Sequence, residues 1–173
     1  MKKLRVVIAG TVGAGKTTFV KSASDIDVVE IERDLTDKSL SVKKKTTVAF
    51  DFGKLILDDQ DLHIYGTPGQ SRFDFMWDIL IKDADRYILL VAANQPNGFS
   101  YAREILTFMN ERVQVPFIIG MTHRDCPDAL SPEEIADSIG IANTNNSPPI
   151  ITVNPNIRTS VIEALSVLVS HEL

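Results

Sequence analysis

The feature that most constrains the fold of this chain is a glycine-rich segment near its N-terminus. Residues 10–17, GTVGAGKT, match the phosphate-loop pattern GxxxxGK[ST]. They follow a nearly continuous apolar run at residues 4–9, LRVVIA, of the kind that forms a strand buried on both faces of a parallel sheet. A helix is predicted to begin near Lys16. A strand, a phosphate loop and a helix in this order indicate an α/β fold that binds a nucleoside triphosphate.

The phosphate loop predicts a set of nucleotide ligands. Its glycines let successive main-chain N–H groups point at phosphate oxygens, and the N-terminus of the following helix adds a favourable dipole. Lys16 is expected to bridge the outer phosphates, and the Thr17 hydroxyl is expected to bind Mg²⁺. The predicted nucleotide-binding residues of this segment are Gly10, Val12, Gly13, Ala14, Gly15, Lys16, Thr17 and Thr18. The alternative, a glycine-rich turn with a surface lysine, is disfavoured because the pattern stands at a strand-to-helix junction.

The rest of the chain alternates between short β-rich runs and longer helical stretches. Further strands are predicted at residues 47–57, 62–65, 87–93, 115–121 and 150–153. Helices are predicted at about 97–112, from 131 to near 140, and from about 159. Residues 24–45 are expected to form a long loop, with or without one short helix, and residues 58–61 a hairpin turn. We therefore predict one domain, 1–173, with a three-layer α/β fold: a six-stranded, mostly parallel sheet with one antiparallel strand and about five helices.

Composition and charge argue against several classes of partner. Eighteen Lys and Arg against 23 Asp and Glu give a net charge of −5, which disfavours nucleic acid and anionic membrane surfaces. No apolar run approaches the roughly 18 to 20 residues that span a bilayer, and no signal-peptide or lipidation pattern is recognised. The single cysteine, Cys126, cannot form an internal disulfide. A cytoplasmic protein without a stable membrane anchor is expected.

The base of the nucleotide is predicted from a second segment. Thr122, His123 and Asp125 belong to the string THRD, directly after a predicted buried strand, at the sheet edge that also holds the phosphate loop. The Asp125 carboxylate can accept hydrogen bonds from the guanine N1–H and 2-amino groups, a donor pair that adenine lacks. GTP and GDP are therefore the predicted ligands. The other interpretations are an aspartate that only caps a helix, and an ATP-dependent enzyme.

Two more strings give the chain a specific resemblance. Two threonines, Thr46 and Thr47, begin the second predicted strand, and GTPGQ at residues 66–70 ends the third. The order of elements and these motifs resemble a small Ras-like GTPase, with its P-loop NTPase fold, over essentially the whole chain. The TPGQ string and the paired threonines are most similar to the bacterial Ras-like GTPases. That group includes gliding-motility switches and predicted GTPases encoded near roadblock-domain proteins.

The resemblance implies roles for three residues outside the phosphate loop. Thr47 matches the first-switch threonine that reaches Mg²⁺ and the γ-phosphate. Gly69 matches the second-switch glycine whose N–H senses the γ-phosphate, and Gln70 the residue that orients the attacking water. The implied catalytic residues are thus Gln70, Lys16 and Thr47, and the implied Mg²⁺ ligands are Thr17 and Thr47. The implied function is a guanine-nucleotide switch with slow GTP hydrolysis, and the alternative is a nucleotide-bound scaffold with negligible hydrolysis.

The chain departs from the family pattern at four places. Gly66 replaces the aspartate that usually holds a Mg²⁺-bound water, so a thinner outer shell of the metal is expected. Val12 stands where many relatives carry a small residue, and His123 replaces a lysine that usually lies along the base. The last guanine loop aligns with Asn154, Pro155 and Asn156. Because Pro155 has no N–H for the guanine O6, Asn156 is the candidate donor.

A protein partner is predicted from an apolar cluster after the second switch. Phe73, Phe75, Met76 and Trp77 are too many for one helix face to bury, so at least one aromatic side chain is expected to be exposed for an effector or regulator. The resemblance suggests a roadblock-type dimer as one such partner. The lysine run at residues 43–45 is expected to be a solvated charge run.

Overall fold

The computed structural model describes residues 1–36, 45–67, 75–141 and 146–173, with side-chain positions for these residues except 32–36, 45–48, 75–77 and 79. The strands are β1 Lys2–Gly10, β2 Val29–Thr36, β3 Lys45–Leu57, β4 Gln60–Gly66, β5 Arg86–Ala92, β6 Phe117–Thr122 and β7 Ile150–Thr152. The helices are α1 Lys16–Ala23, α2 Phe75–Lys82, α3 Phe99–Arg112, α4 Pro132–Ile139 and α5 Arg158–Ser170. The predicted strands and helices that fall in this part of the chain agree with these bounds to within two residues.

The strands form one sheet in the order β2-β3-β4-β1-β5-β6-β7. The pairs β1–β4, β1–β5, β5–β6 and β6–β7 are parallel, whereas β3 is antiparallel to both β2 and β4. Strand β3 therefore runs against the other six, which confirms the prediction of a mostly parallel sheet with one antiparallel strand. The carboxyl ends of the six co-directional strands all face one edge of the sheet, and a ligand site is expected there.

The sheet has one strand more than the sequence predicts, because β2 lies within the segment predicted as a loop. Its residues 29–36 pair with residues 52–45 of β3, whereas β4 pairs with residues 51–57 of β3. Most of β2 thus lies past the end of β4. Apolar residues at Val29, Ile31 and Leu35 alternate as in a strand, but Arg33 interrupts the pattern, and the charged residues between them obscure the strand in the sequence.

The turn between β3 and β4 is two residues shorter than predicted. Leu57 pairs with Gln60, so only Asp58 and Asp59 form the loop, with φ angles of 50° and 59°. Two central residues with positive φ are typical of a type I′ turn, whose twist matches that of the flanking strands. This turn fixes the register of the whole hairpin and brings Asp51 opposite Gly66 at the far end.

Helices cover both faces of the sheet and give the predicted three layers. A hydrophobic core lies on each face of the sheet, and the side chains of β1 alternate between them. Leu4, Val6 and Ile8 pack on the side of α1 and α5, and Val7 and Ala9 pack on the side of α3 and α4. Strand β5 is buried along its whole length. The longest helix, α3, has 14 residues, and no helix in the described ranges has the length and apolarity needed to cross a bilayer.

The predicted start of α4 is confirmed in detail. The Ser131 hydroxyl accepts the Glu134 main-chain N–H at 3.2 Å, and the Glu134 carboxylate accepts the Ser131 main-chain N–H at 2.9 Å. This reciprocal pair is a capping box, which satisfies two of the N–H groups that a helix start leaves unpaired. Gly140 ends the helix in the left-handed conformation, with φ of 80°.

The positive φ angles of the hairpin turn give a first prediction. Asp59→Val is expected to destabilise the protein by about 1 to 2 kcal/mol, because a β-branched side chain is strained in the left-handed region. Asp59→Asn is expected to change the free energy of unfolding by less than about 0.5 kcal/mol, since asparagine tolerates that conformation. Urea unfolding measures both. The matched control is Asp27→Val, at an exposed position outside the helices and strands. An equal loss of unfolding free energy in that control would show that backbone strain is not the cause.

Candidate functional site

The loops that follow β1, β6 and β7 meet at the carboxyl edge of the sheet and enclose a cavity of about 570 Å³. This volume is typical of a small-molecule pocket. The lining residues come from the predicted phosphate loop, the predicted base segment and the predicted guanine loop: Gly13, Gly15, Thr18, His123, Arg124, Asp125, Cys126, Thr152, Val153, Asn154, Pro155 and Asn156. The structure thus brings three sequence-distant predicted segments into one cleft.

The phosphate loop has the backbone conformation that its glycines predict. Gly13 and Gly15 adopt left-handed φ angles of 79° and 97°, which L side chains rarely accept. At Gly15 space is also limiting, because a Cβ there would lie 2.8 Å from Cγ of Pro155. The phosphate loop and the guanine loop are therefore in close contact at this glycine. Val12, in the same loop, is 61% exposed.

Lys16 is buried beneath the loop. Its side chain is 7% exposed, and its Nζ donates a hydrogen bond to the carbonyl oxygen of Gly10 at 2.5 Å. Burial lowers the pKa of Lys16 to about 8, because the charged ammonium is desolvated there. An anion in the loop would stabilise that charge, so the arrangement favours a negatively charged ligand.

The next residue, Thr17, contacts an aspartate that sequence reasoning missed. Its hydroxyl donates to Oδ2 of Asp51 at 3.0 Å. Asp51 is paired with Gly66 across the hairpin, and a Cβ on Gly66 would lie 3.5 Å from Asp51 Cβ and 3.7 Å from its Oδ2. A carboxylate thus lies beside the position where the family aspartate is missing. The signal for it was the register: a two-residue turn at 58–59 pairs residue 51 with residue 66, and the longer predicted turn does not.

Thr122 joins the base segment to the phosphate loop. The side chain is fully buried, and its hydroxyl donates to the carbonyl oxygen of Ala14 at 2.9 Å. The same oxygen lies 2.9 Å from Nδ1 of His123. The buried Thr122 hydroxyl therefore links the phosphate loop to the imidazole of His123 in the base segment.

Asp125 and the guanine loop lie at the other end of the cavity. Asp125 is exposed and lines the cavity, and its carboxylate makes no hydrogen bond to another described residue. In the guanine loop, the main-chain N–H of Asn156 donates to Oδ1 of Asn154 at 3.1 Å. Of the two Asn156 donors that the sequence allows for the guanine O6, the main-chain N–H is therefore engaged, and the side-chain amide is the candidate.

The guanine loop is fixed to the far end of the helix that carries the phosphate loop. The Ser22 hydroxyl of α1 donates to the carbonyl oxygen of Pro155 at 2.5 Å. From the start of α5, the Arg158 guanidinium donates to the carbonyl oxygens of Ser22, Ala23 and Ser24 at 3.2 to 3.3 Å, and to Oδ1 of Asp25 at 2.6 Å. A cation at the C-terminus of α1 satisfies its last carbonyls and complements the helix dipole.

The switch residues are only partly described. Thr47 lies in β3, where it pairs with Asp34 of β2, four residues and roughly 13 Å along the strand from Asp51. Its main chain therefore belongs to the β2–β3 ladder. Gly69, Gln70 and Phe73 lie outside the described residues, as do the first two lysines of the run at 43–45. Residues 75–77 belong to α2, but their side chains are not described, so the predicted partner surface remains a prediction.

Comparison with known proteins places these features in a family. The sequence pattern of the ADP-ribosylation factor family (Arf) matches residues 1–171. An uncharacterised protein of Methanocaldococcus jannaschii is 31% identical over 131 residues, which are 74% of this chain and 76% of that protein. The mutual gliding-motility protein MglA of Myxococcus xanthus is 26% identical over 164 residues, 87% of this chain and 81% of MglA.

A solved structure supports the fold. The Arl6 small GTPase from Trypanosoma brucei, determined with the bound nucleotide analogue GppNp, superposes with a TM-score of 0.73. The match covers 96% of this chain and 95% of that one at 17% sequence identity. The family match and the shared fold together confirm the resemblance to Ras-like GTPases. The chain belongs to the ADP-ribosylation factor family of small GTPases.

Proposed function

We propose that this chain is a guanine-nucleotide switch that binds GTP or GDP with Mg²⁺ and hydrolyses GTP slowly. The observation that carries this proposal is the single cleft formed by the phosphate loop, the Asp125 segment and the guanine loop. The buried bond from Thr122 to the Ala14 carbonyl holds the first two together. Membership of a family of small GTPases supports the same function.

The phosphate end of the cleft is proposed to act through Lys16 and Thr17. The main-chain N–H groups at the start of α1 and the Lys16 ammonium would bind the outer phosphates, and the Thr17 hydroxyl would hold Mg²⁺. The donor set fits the metal, because Mg²⁺ prefers oxygen ligands and the Thr17 hydroxyl faces a carboxylate. Bound there, Mg²⁺ would neutralise charge on the outer phosphates.

The base end is proposed to select guanine. The exposed Asp125 carboxylate accepts two hydrogen bonds from the guanine edge, and the side-chain amide of Asn156 serves the O6 oxygen. Adenine presents no donor pair to Asp125, so it would leave this carboxylate desolvated and unpaired, which costs free energy.

Base selectivity gives the second prediction. GDP is expected to displace a fluorescent GDP analogue far better than ADP does, and Asp125→Asn is expected to weaken GDP binding at least tens-fold. The same variant should gain affinity for xanthosine diphosphate, because the asparagine amide donates to the 2-oxo group and accepts from N1–H. The control is Asp128→Asn, a nearby exposed aspartate outside the cavity lining. Equal competition by ADP and GDP would contradict guanine selectivity.

The buried charge of Lys16 gives the third prediction, in which stability and binding change in opposite directions. Lys16→Met is expected to abolish tight GDP binding and yet to stabilise the nucleotide-free protein at pH 7. A lysine whose pKa falls from 10.5 to about 8 on folding is destabilising while it is charged, by about 3 kcal/mol. Thermal unfolding of both nucleotide-free proteins measures the difference.

The pH dependence of that difference follows from the same shift. Between pH 8 and 10.5 the unfolded chain binds more protons at Lys16 than the folded chain, so the stability of the wild-type protein rises with pH there. The gain in unfolding free energy of Lys16→Met over the wild type is therefore largest below pH 8 and shrinks toward pH 10.5. Lys21→Met, on the same helix, serves as control because no such burial affects Lys21. A stability difference between Lys16→Met and the wild type that stays constant across this pH range would contradict the assignment of the effect to the buried charge.

Slow hydrolysis is proposed because the arginines that the structure places around the cleft are engaged elsewhere. Arg124, which lines the cavity, donates to the carbonyl oxygen of Leu130 at 2.5 Å. Arg158 is held at the end of α1. Neither is free to stabilise charge on a terminal phosphate, so an arginine from a partner is expected to accelerate the reaction.

The fourth prediction concerns the rate. Single-turnover GTP hydrolysis is expected at or below roughly 10⁻⁴ to 10⁻³ per second, the range of an unassisted Ras-type enzyme. Gln70→Ala is expected to lower the rate further, because Gln70 is proposed to orient the attacking water. Gln114→Ala, at an exposed glutamine, is the control. An unchanged rate in Gln70→Ala would contradict the water-orienting role and favour a nucleotide-bound scaffold.

The output of the switch is proposed to be a protein interaction. Contacts of the γ-phosphate with Thr47 and Gly69 would order the two switch segments and present aromatic residues such as Phe75 and Trp77. The gliding-motility protein MglA is among the relatives, and the resemblance to its group suggests a roadblock-type dimer as partner. A partner distinguishes the two nucleotide states only if it has different affinities for them.

A further inference from the structure

We propose that Asp51 is the carboxylate that serves Mg²⁺ at the phosphate loop, in place of an acidic side chain at position 66. The inference rests on the proposed nucleotide-binding function and concerns which residue of this chain completes its metal site. Three observations carry it: the hairpin register, the bond to Thr17 and the lack of a side chain at Gly66.

The register places the Asp51 carboxylate opposite Gly66, the last residue of β4, and next to the Thr17 hydroxyl that follows the phosphate loop. Asp51 and Gly66 are directly paired on β3 and β4, so substituents on the two Cα atoms project from the same face. The hypothetical Cβ of residue 66, 3.5 Å from Asp51 Cβ, confirms this. A carboxylate attached at either position therefore reaches the same region, and in this chain it comes from β3.

The glycine makes room for this arrangement. Gly66 has no positive φ, so its backbone does not require glycine. A Cβ at this position would lie 3.1 Å from Cγ2 of Val20 on α1, closer than an ordinary contact, and a larger acidic side chain would also meet the Asp51 carboxylate. Two adjacent carboxylates would repel each other as well. Gly66 and Asp51 are thus complementary: the missing side chain leaves the space that the aspartate uses.

The bond to Thr17 gives the carboxylate its chemical role. The Thr17 hydroxyl spends its only hydrogen on Asp51 at 3.0 Å, which leaves the oxygen lone pairs for a cation. A carboxylate behind a metal ligand orients that ligand and makes it more basic, and it also binds the waters that Mg²⁺ retains. A purely structural alternative exists, because a carboxylate near the N-terminus of α1 also stabilises the helix dipole. Only the metal role makes the affinity for Mg²⁺ depend on Asp51.

The test is the Mg²⁺ dependence of GDP release. Release of a fluorescent GDP analogue would be followed in the wild type and in Asp51→Asn. The free Mg²⁺ concentration would range from none, with EDTA present, to tens of millimolar. The Mg²⁺ concentration that half-maximally slows release is expected to rise about 10- to 100-fold in the variant, as for other residues that support metal ligands. In EDTA the two proteins should release GDP at the same rate, because the nucleotide contacts are unchanged.

Two further variants complete the experiment. Asp59→Asn makes the same charge change at the hairpin tip, roughly 25 Å along the strand from Asp51, and should leave the Mg²⁺ dependence unchanged. The double variant Asp51→Gly with Gly66→Asp moves the carboxylate back to β4, and it should need less Mg²⁺ than Asp51→Gly alone. This exchange also keeps the proposal testable if Asp51→Asn folds poorly.

Two results would overturn the proposal. One is an unchanged Mg²⁺ dependence of GDP release in Asp51→Asn. The other is a GDP release rate that exceeds the wild-type rate by the same factor in EDTA and in Mg²⁺, which would indicate a structural role only. Failure of the proposed function has a different signature: the wild-type protein would then bind no GDP at any Mg²⁺ concentration.

Discussion

The burial of β1 at the centre of the sheet is the constraint on which the candidate site depends. With β4 on one side and β5 on the other, the end of β1 is fixed between two parallel neighbours. Both the main-chain N–H and the hydroxyl of Thr67 donate to the Ile8 carbonyl, at 3.0 and 3.1 Å, so the chain leaving β4 is held against β1. The phosphate loop that follows β1 therefore starts from a rigid point, and the loops after β6 and β7 are positioned relative to it.

The rigid start of the phosphate loop lets the cleft hold the Lys16 ammonium in a buried position, where its charge is unfavourable. Lys16 loses most of its hydration under the loop, and its only described protein partner is the Gly10 carbonyl. A buried ammonium is costly unless it is paired, so the nucleotide-free cleft is a destabilised state that an anion relieves. Burial therefore couples folding to ligand binding, which is the behaviour expected of a protein that seldom exists without its nucleotide.

The sequence alone predicted the parts of the structure that local chemistry determines. The phosphate loop was predictable because Gly13 and Gly15 need unusual φ angles, and the start of α4 because Ser131 and Glu134 form a capping box. Features that depend on which residues of two strands pair were not predicted. Strand β2 was missed because, in the described sheet, it pairs with β3 alone, and its charged residues give it the sequence pattern of a loop. Asp51 was missed because its role follows from a register, and an error of two residues in the turn moves it away from Gly66.

The central claim, that the cleft holds a guanine nucleotide, is tested most directly by the nucleotide that remains bound to the purified protein. The protein would be purified without added nucleotide and with Mg²⁺ in every buffer, then denatured, and the released small molecules would be separated by ion-exchange chromatography and identified by mass. The account predicts GDP, with or without GTP, at close to one nucleotide per chain. Adenine nucleotides in that amount, or a cleft that stays empty even after incubation with GDP and Mg²⁺, would contradict it.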